Sequence, residues 1–170
     1  GADRVVDRSA ITDVDSDGRP DIVCGNYWIR SPHEFDLPWR LFAINTWSEE
    51  SLSGMARFAL AGRSLIACQA AMAPARLARF GKPADPREMW KEQRLDGSLA
   101  LACPGALSAA GDDFALSESG GQGRLILFRA QGPRGFIPEI VARGCPLVFL
   151  HYHGGSLLGV GSFSIIRWKA

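Results

Sequence analysis

The chain lacks most of the features that would assign it to a broad functional class. Among its 170 residues no apolar run approaches the roughly 18 needed to span a bilayer. The formal charge of +1 is spread without a basic block or an Arg/Lys tract interleaved with aromatics. Neither a membrane span nor nucleic-acid binding is therefore expected. Cys24, Cys68, Cys103 and Cys145 form no CxxC pair, which argues against zinc. Cys24 and Cys68 fit apolar strand patterns in which a thiol serves as a small core residue. Cys103 and Cys145 each precede a proline at repeat-like spacing, and that spacing leaves a disulfide open. A nucleophile elbow, a P-loop and an HExxH motif are all missing. The glycines at 154, 155, 159 and 161 have no following helix to make a dinucleotide fingerprint, so they read as a turn into a strand. No secretory leader is recognisable, which leaves the compartment open.

What the chain does have is concentrated in residues 12–23, Thr-Asp-Val-Asp-Ser-Asp-Gly-Arg-Pro-Asp-Ile-Val. Asp13, Asp15 and Asp17 alternate so that their side chains can converge, and Gly18 permits the sharp turn after them. The Arg19 carbonyl and Asp21 can complete an oxygen cage for a hard cation, and calcium is the expected ion. Four carboxylates within nine residues would otherwise repel one another. An EF-hand is excluded because its twelfth loop position, normally a bidentate Glu, is Cys24. Residues 21–29 are β-branched, aromatic and small, so the loop is expected to join two strands rather than two helices.

Internal repetition organises the rest. Residues 21–25, 64–68, 114–117 and 157–160 are short apolar and small-residue runs, each followed by a second run at 26–29, 75–80, 124–128 and 164–168. The first three continue through a Pro-containing turn to an aromatic at Trp39, Trp90 or Phe136, at the start of a final strand, and the matching Trp39 and Trp90 are expected to pack between repeats. A period of about 40–50 residues fits one four-stranded propeller blade. Short segments separated by Gly, Pro, Asp and Ser clusters argue against helical repeats, although residues 69–79 dissent locally and 49–55 could form a helical turn.

The DxDxDGxxD loop followed by an apolar strand, and the cadence Asn26-Tyr27-Trp28-Ile29-Arg30-Ser31-Pro32 to Trp39, echoed at residues 78–83 and Trp90, resemble the FG-GAP/VCBS repeat family of integrin-type propellers. Only the first repeat carries the full loop. Its counterparts are Leu60-Ala61-Gly62-Arg63, Asp112-Asp113 and His151-Tyr152-His153-Gly154-Gly155. The resulting expectation is an all-β, single-domain β-propeller over residues 1–170. Its blades would be 9–47, 55–95, 106–143, and 147–170 completed by 1–8 at the N-terminus. The runner-up is half of a larger ring completed by a second copy or by further sequence, so monomer and closed homodimer are both carried forward.

The resemblance implies a calcium-stabilised, noncatalytic propeller binding a carbohydrate or protein partner, outside the cell or in the periplasm. Asp13, Asp15, Asp17, Arg19 and Asp21 would be its metal ligands. A polysaccharide lyase or hydrolase is the enzymatic alternative, and a degenerate structural module is the third reading. The noncatalytic reading leads because the calcium loop is the only dense cluster of chemical groups. Beyond it, His151, His153, Asp112, Asp113 and Trp47 are candidate ligand contacts. His151 and His153 are two apart on an expected strand and so share a face. Trp47 lies outside the repeat cadence, either packed or open for stacking against a sugar or peptide. Glu49, Glu50, Glu88, Glu92 and Glu118 are expected to be ordinary solvated carboxylates.

Overall fold

The computed structural model describes residues 9–45, 47, 57–69, 74–95, 97, 99–118, 122–132, 135–145, 147–161 and 165–169. Fifteen strands run through them and form four separate antiparallel sheets in chain order. The first sheet is β1 (Ser9–Thr12), β2 (Asp21–Cys24), β3 (Tyr27–Arg30) and β4 (Arg40–Ala43). The second is β5 (Arg57–Ala61), β6 (Ser64–Gln69), β7 (Arg76–Gly81) and β8 (Lys91–Arg94). The third is β9 (Pro104–Ala110), β10 (Asp113–Glu118), β11 (Leu125–Ala130) and β12 (Phe136–Ala142). The fourth has β13 (Leu147–His153), β14 (Ser156–Gly161) and β15 (Ile165–Lys169). Each sheet is a simple meander, so every strand pairs with its sequence neighbour. No helix among the described residues is long and apolar enough to cross a membrane.

The expected second strands coincide with β2, β6, β10 and β14, and the expected third strands with β3, β7, β11 and β15. The local helical dissent at 69–79 ends in strand β7 from Arg76, where Leu77, Ala78 and Phe80 are buried between sheets. The possible helical turn at 49–55 and the proposed closing strand within residues 1–8 lie outside the described residues.

Three apolar layers join consecutive sheets. Ala10, Val23, Trp28 and Phe42 pack on Phe58, Leu65 and Phe80, joining the first sheet to the second. The second and third share a layer that includes Ile66, Leu77, Leu116 and Phe128, and the third and fourth share one that includes Leu127, Leu150, Tyr152 and Leu157. Among the described residues no such layer joins the fourth sheet to the first. The free faces are nonetheless apolar. Ile11, Ile22, Ile29 and Leu41 form one cross-strand row on the first sheet, opposite the face that packs on the second. Phe149, Val160 and Ile165 form another on the fourth. Ile11 and Ile165 are each 75% exposed.

The Pro-turn cadence has a common geometry. In the β3–β4 connection Leu37 N–H donates to Glu34 O, and in the β7–β8 connection Glu88 N–H donates to Asp85 O, both at 3.1 Å. The Pro86 carbonyl in the second connection accepts the indole N–H groups of both Trp28 (3.0 Å) and Trp90 (3.1 Å). One acceptor thereby satisfies two buried tryptophans from adjacent sheets, which lets their large apolar area be buried without stranding a donor.

Candidate functional site

The first two strands of the first sheet are joined by residues 13–20, which leave Thr12 and return at its register partner Asp21. Two left-handed residues, Ser16 (φ 64°) and Gly18 (φ 84°), make the loop reverse within that length. Val14 is buried against the first inter-sheet layer, and its carbonyl accepts a hydrogen bond from Lys82 Nζ of the second sheet at 2.7 Å. The loop is therefore fastened at its base to both sheets.

Above that base, Asp13, Asp15 and Asp21 each bring a carboxylate oxygen within 4.8 Å of the other two. Asp21 is completely buried. Its two oxygens accept the backbone N–H groups of Val14 and Ser31, each at 2.9 Å. Asp13 is exposed and accepts from the N–H groups of Asp17 (3.1 Å) and Gly18 (2.9 Å), closing the turn. Asp15 Oδ1 is shielded from solvent and has no hydrogen-bond partner, while Oδ2 lies 2.6 Å from Arg30 Nε. That last contact is an ion pair without an aligned hydrogen bond, since Arg30 Nε is itself unpartnered. A buried carboxylate oxygen with nothing to accept from is costly, and its residue is grouped with two further carboxylates.

Asp17, expected as a fourth side-chain ligand, stands apart from this three-way group. Its carboxylate pairs with Arg19 at 2.5 Å and Arg30 at 3.0 Å. Burial alone would raise its pKa, but the Arg19 N–H and the Arg30 guanidinium outweigh burial and hold the carboxyl below its usual range. Arg30 is correspondingly shifted upward, chiefly by its hydrogen bond to Asp17. The residues fit a hard cation through Asp13, Asp15 and Asp21. Bound there, the ion would meet the orphaned Asp15 oxygen and draw on the spare lone pairs of the two carboxylates that already accept N–H groups.

The other candidates separate. His151 and His153 lie on one exposed face of β13, their rings stacked 6.1 Å apart. Tyr152 between them faces the opposite way, with its hydroxyl 3.4 Å from Asp113 Oδ2 at the third-to-fourth sheet layer. Asp113 Oδ1 also accepts the Ala130 N–H at 2.8 Å. Asp112 projects from the β9–β10 turn towards Gly62 of the β5–β6 turn, and Gly62 N–H donates to Gly111 O at 2.8 Å. The turns of adjacent sheets do gather, yet the two histidines form no metal-ligating group with either aspartate among the described residues.

Trp47 is buried. It meets Phe80 in a T-shaped contact, its face is covered by the Arg76 guanidinium at 4.7 Å, and its N–H lies 3.3 Å from Glu92. Trp39, expected to pack between sheets like its counterpart Trp90, is 37% exposed while Trp90 is 6% exposed. The reason is position. Trp90 lies against the first sheet, whereas Trp39 belongs to none of the layers between sheets among the described residues and meets the exposed Phe35 in a T-shaped contact at 5.9 Å.

Glu118 also departs from expectation. It is buried, and it accepts from Arg124 Nη2 (2.5 Å), Arg124 Nε (2.7 Å) and the Ala102 N–H (2.9 Å). Burial would raise its pKa, but the Arg124 fork and these N–H groups win, and the net shift is downward. The spacing Glu118 to Arg124 carried no sequence signal, since the pairing depends on the β10–β11 hairpin bringing them together. No disulfide joins any of the four cysteines, and burial pushes the Cys68 thiol up to about 12, so it is an inert core group.

Comparison with family models, with curated proteins and with solved structures returns no match.

Proposed function

We propose that this chain is a noncatalytic binding module of propeller blades whose first blade is clipped by a calcium ion held by Asp13, Asp15 and Asp21. The observation that carries this reading is the grouping of carboxylate oxygens from Asp13, Asp15 and Asp21 within 4.8 Å of one another, together with a shielded Asp15 Oδ1 that has no hydrogen-bond partner. A bound cation removes both the repulsion and the unsatisfied acceptor. The role is structural, because the loop is anchored to two sheets through Val14 and Lys82. The ligand carried by the module is a carbohydrate or a protein, in keeping with the resemblance of its loop and Trp-turn cadence to FG-GAP/VCBS repeats.

Thermal unfolding tests the clip. At a calcium concentration of about 100 times Kd, binding contributes roughly 2.7 kcal/mol, which for this size raises Tm by about 5–10 °C. Chelator is expected to reverse the rise, and Asp15→Ala to abolish it. Equal melting with calcium and with chelator would sink the proposal.

The half-ring reading is favoured by one specific feature. The open row Ile11, Ile22 and Ile29 stands at the register positions that Leu60, Leu65 and Phe80 occupy in the second sheet, where those side chains meet the first sheet. An apolar face built to the same plan calls for another sheet against it. Light scattering distinguishes the forms, since a dimer with no monomer at micromolar concentration fits a two-copy ring and excludes self-closure.

A further inference from the structure

Beside the acidic loop, on the other side of Arg30, lies a cleft of about 380 Å³ lined by Arg19, Arg30 and Arg40 with Ser31 and His33. Pro32, Leu37 and Pro38 supply its apolar lining. Three of its features are unexplained by folding. Arg30 and Arg40 are direct register partners across β3 and β4, a like-charge placement that disfavours the sheet. Arg40 has no ion pair or side-chain hydrogen bond among the described residues, unlike Arg19 and Arg30, which are partly neutralised by Asp17 and Asp15. Ser31 is more than nine-tenths buried and lines the cleft, yet its hydroxyl has no partner, and the Arg19 Nε is likewise shielded and unsatisfied.

We propose that this cleft binds a small organic oxyanion, a carboxylate carried on a ring or short chain. Arg40 takes the carboxylate through its planar fork, Arg30 and Arg19 add positive potential, and the Ser31 hydroxyl donates to it. The apolar lining selects an organic carrier over a bare inorganic ion, whose hydration those groups could not replace. The volume falls at the low end of the range for small-molecule sites, about 300–1,000 Å³, so it suits one sugar ring or one organic acid. This inference narrows the carbohydrate-or-protein ligand of the proposed function to an acidic one. It draws on that reading for the carrier only and does not require the cation.

The test is calorimetric titration of the full chain at low salt with sodium glucuronate, methyl glucoside and sodium sulfate, each in calcium and again in chelator. Glucuronate is expected to bind in both conditions and methyl glucoside in neither. Arg40→Ala should weaken glucuronate at least about tenfold, the order expected for losing a charge-assisted bidentate contact. Arg40→Lys should restore part of that loss, and Ser31→Ala should weaken binding several-fold. Because Arg40 is exposed and opposes another cation, Arg40→Ala should leave Tm unchanged or raised, which separates loss of binding from loss of fold. No glucuronate binding, equal binding of methyl glucoside, or insensitivity to Arg40→Ala would each overturn the site. Sulfate binding as tight as glucuronate overturns the assignment to an organic carboxylate. Binding of glucuronate in chelator supports the cleft whatever becomes of the calcium clip, so the two readings fail separately.

Discussion

The first sheet joins its first two strands through residues 13–20, whereas the second, third and fourth join theirs through Gly62-Arg63, Gly111-Asp112 and Gly154-Gly155. The register across the pair is as regular in the first sheet as in the others, with Thr12 opposite Asp21 just as Ala61 is opposite Ser64. A two-residue turn with left-handed glycine is thus sufficient to build this hairpin. The longer loop is not needed for strand pairing, and its acids give it a different task.

A second contrast concerns how buried carboxylates are satisfied. In the third sheet Glu118 finds a guanidinium fork and backbone donors within the protein, and none of its oxygens is left over. In the first sheet Asp21 is satisfied by two backbone donors, while Asp15 keeps an orphaned oxygen. One site is complete as folded and the other is built to take something more.

The largest effect that would sharpen this contrast is at Glu118. Glu118→Ala leaves the mostly buried Arg124 without its carboxylate counter-charge, and a loss of about 3–5 kcal/mol in urea unfolding is expected. The pH dependence follows from the downward shift of the Glu118 pKa from 4.5. Its contribution is fully present above that ordinary value and is lost as pH falls through the lower folded value. The wild type should therefore lose stability below about pH 4.5, and Glu118→Gln should flatten that part of the profile. An unchanged acid limb in Glu118→Gln would assign the loss to other carboxylates.

Next in size is Asp21→Ala, which strands the Val14 and Ser31 N–H groups in a buried setting and should cost about 2–4 kcal/mol. That cost is expected in chelator as well as in calcium, unlike the effect of Asp15→Ala, which should appear only in calcium. Equal penalties for both variants in chelator would erase the distinction between the structural and the ligating carboxylate. Replacing residues 13–20 by Asn-Gly breaks the comparison outright. The shortened hairpin should still fold, at a cost of about 1–3 kcal/mol for the lost Val14 burial, and its Tm should no longer respond to calcium. Failure of this variant to fold at all would show that the loop is needed for the sheet.

The smallest expected effect is at the turn that stands in place of the loop in the second sheet. Gly62 has φ +52°, and a Cβ there would lie 2.0 Å from Asp112 Oδ1, so Gly62→Ala is strained and displaces the exposed Asp112 side chain. A cost of about 1–2 kcal/mol is expected from the left-handed backbone, and Asp112→Ala in the same chain should relieve any part due to the side-chain clash. A double variant no better than the single one would assign the whole cost to the backbone.

Much of the fold was legible because it depends on local signals. Short β-prone runs, the Pro-turn cadence and glycine-bearing turns recur at one period, and these placed β2, β6, β10 and β14 as equivalents before any contact was known. The acidic loop was legible for the same reason, since alternating aspartates and a glycine act within eight residues. What went astray or stayed open depended on a neighbour. Trp39 and Trp90 occupy the same place in their repeats, but only Trp90 has a sheet to cover it. Trp47 lay outside the cadence and could be packed or open, and contacts with the Phe80 ring and Arg76 decided for burial.

By itself the sequence determined an all-β chain of repeated meanders with one acidic hairpin loop, because strand pattern, turn chemistry and charge clustering are properties of short segments. Tertiary structure alone decided that Asp17 would turn to Arg19 and Arg30 while Asp13, Asp15 and Asp21 converge. It also decided that Glu118 would be buried against Arg124, and that the first and fourth sheets would each keep an open apolar face. Those outcomes are set by which side chains a folded hairpin or a neighbouring sheet brings together, and a strand or turn pattern does not encode what stands opposite it.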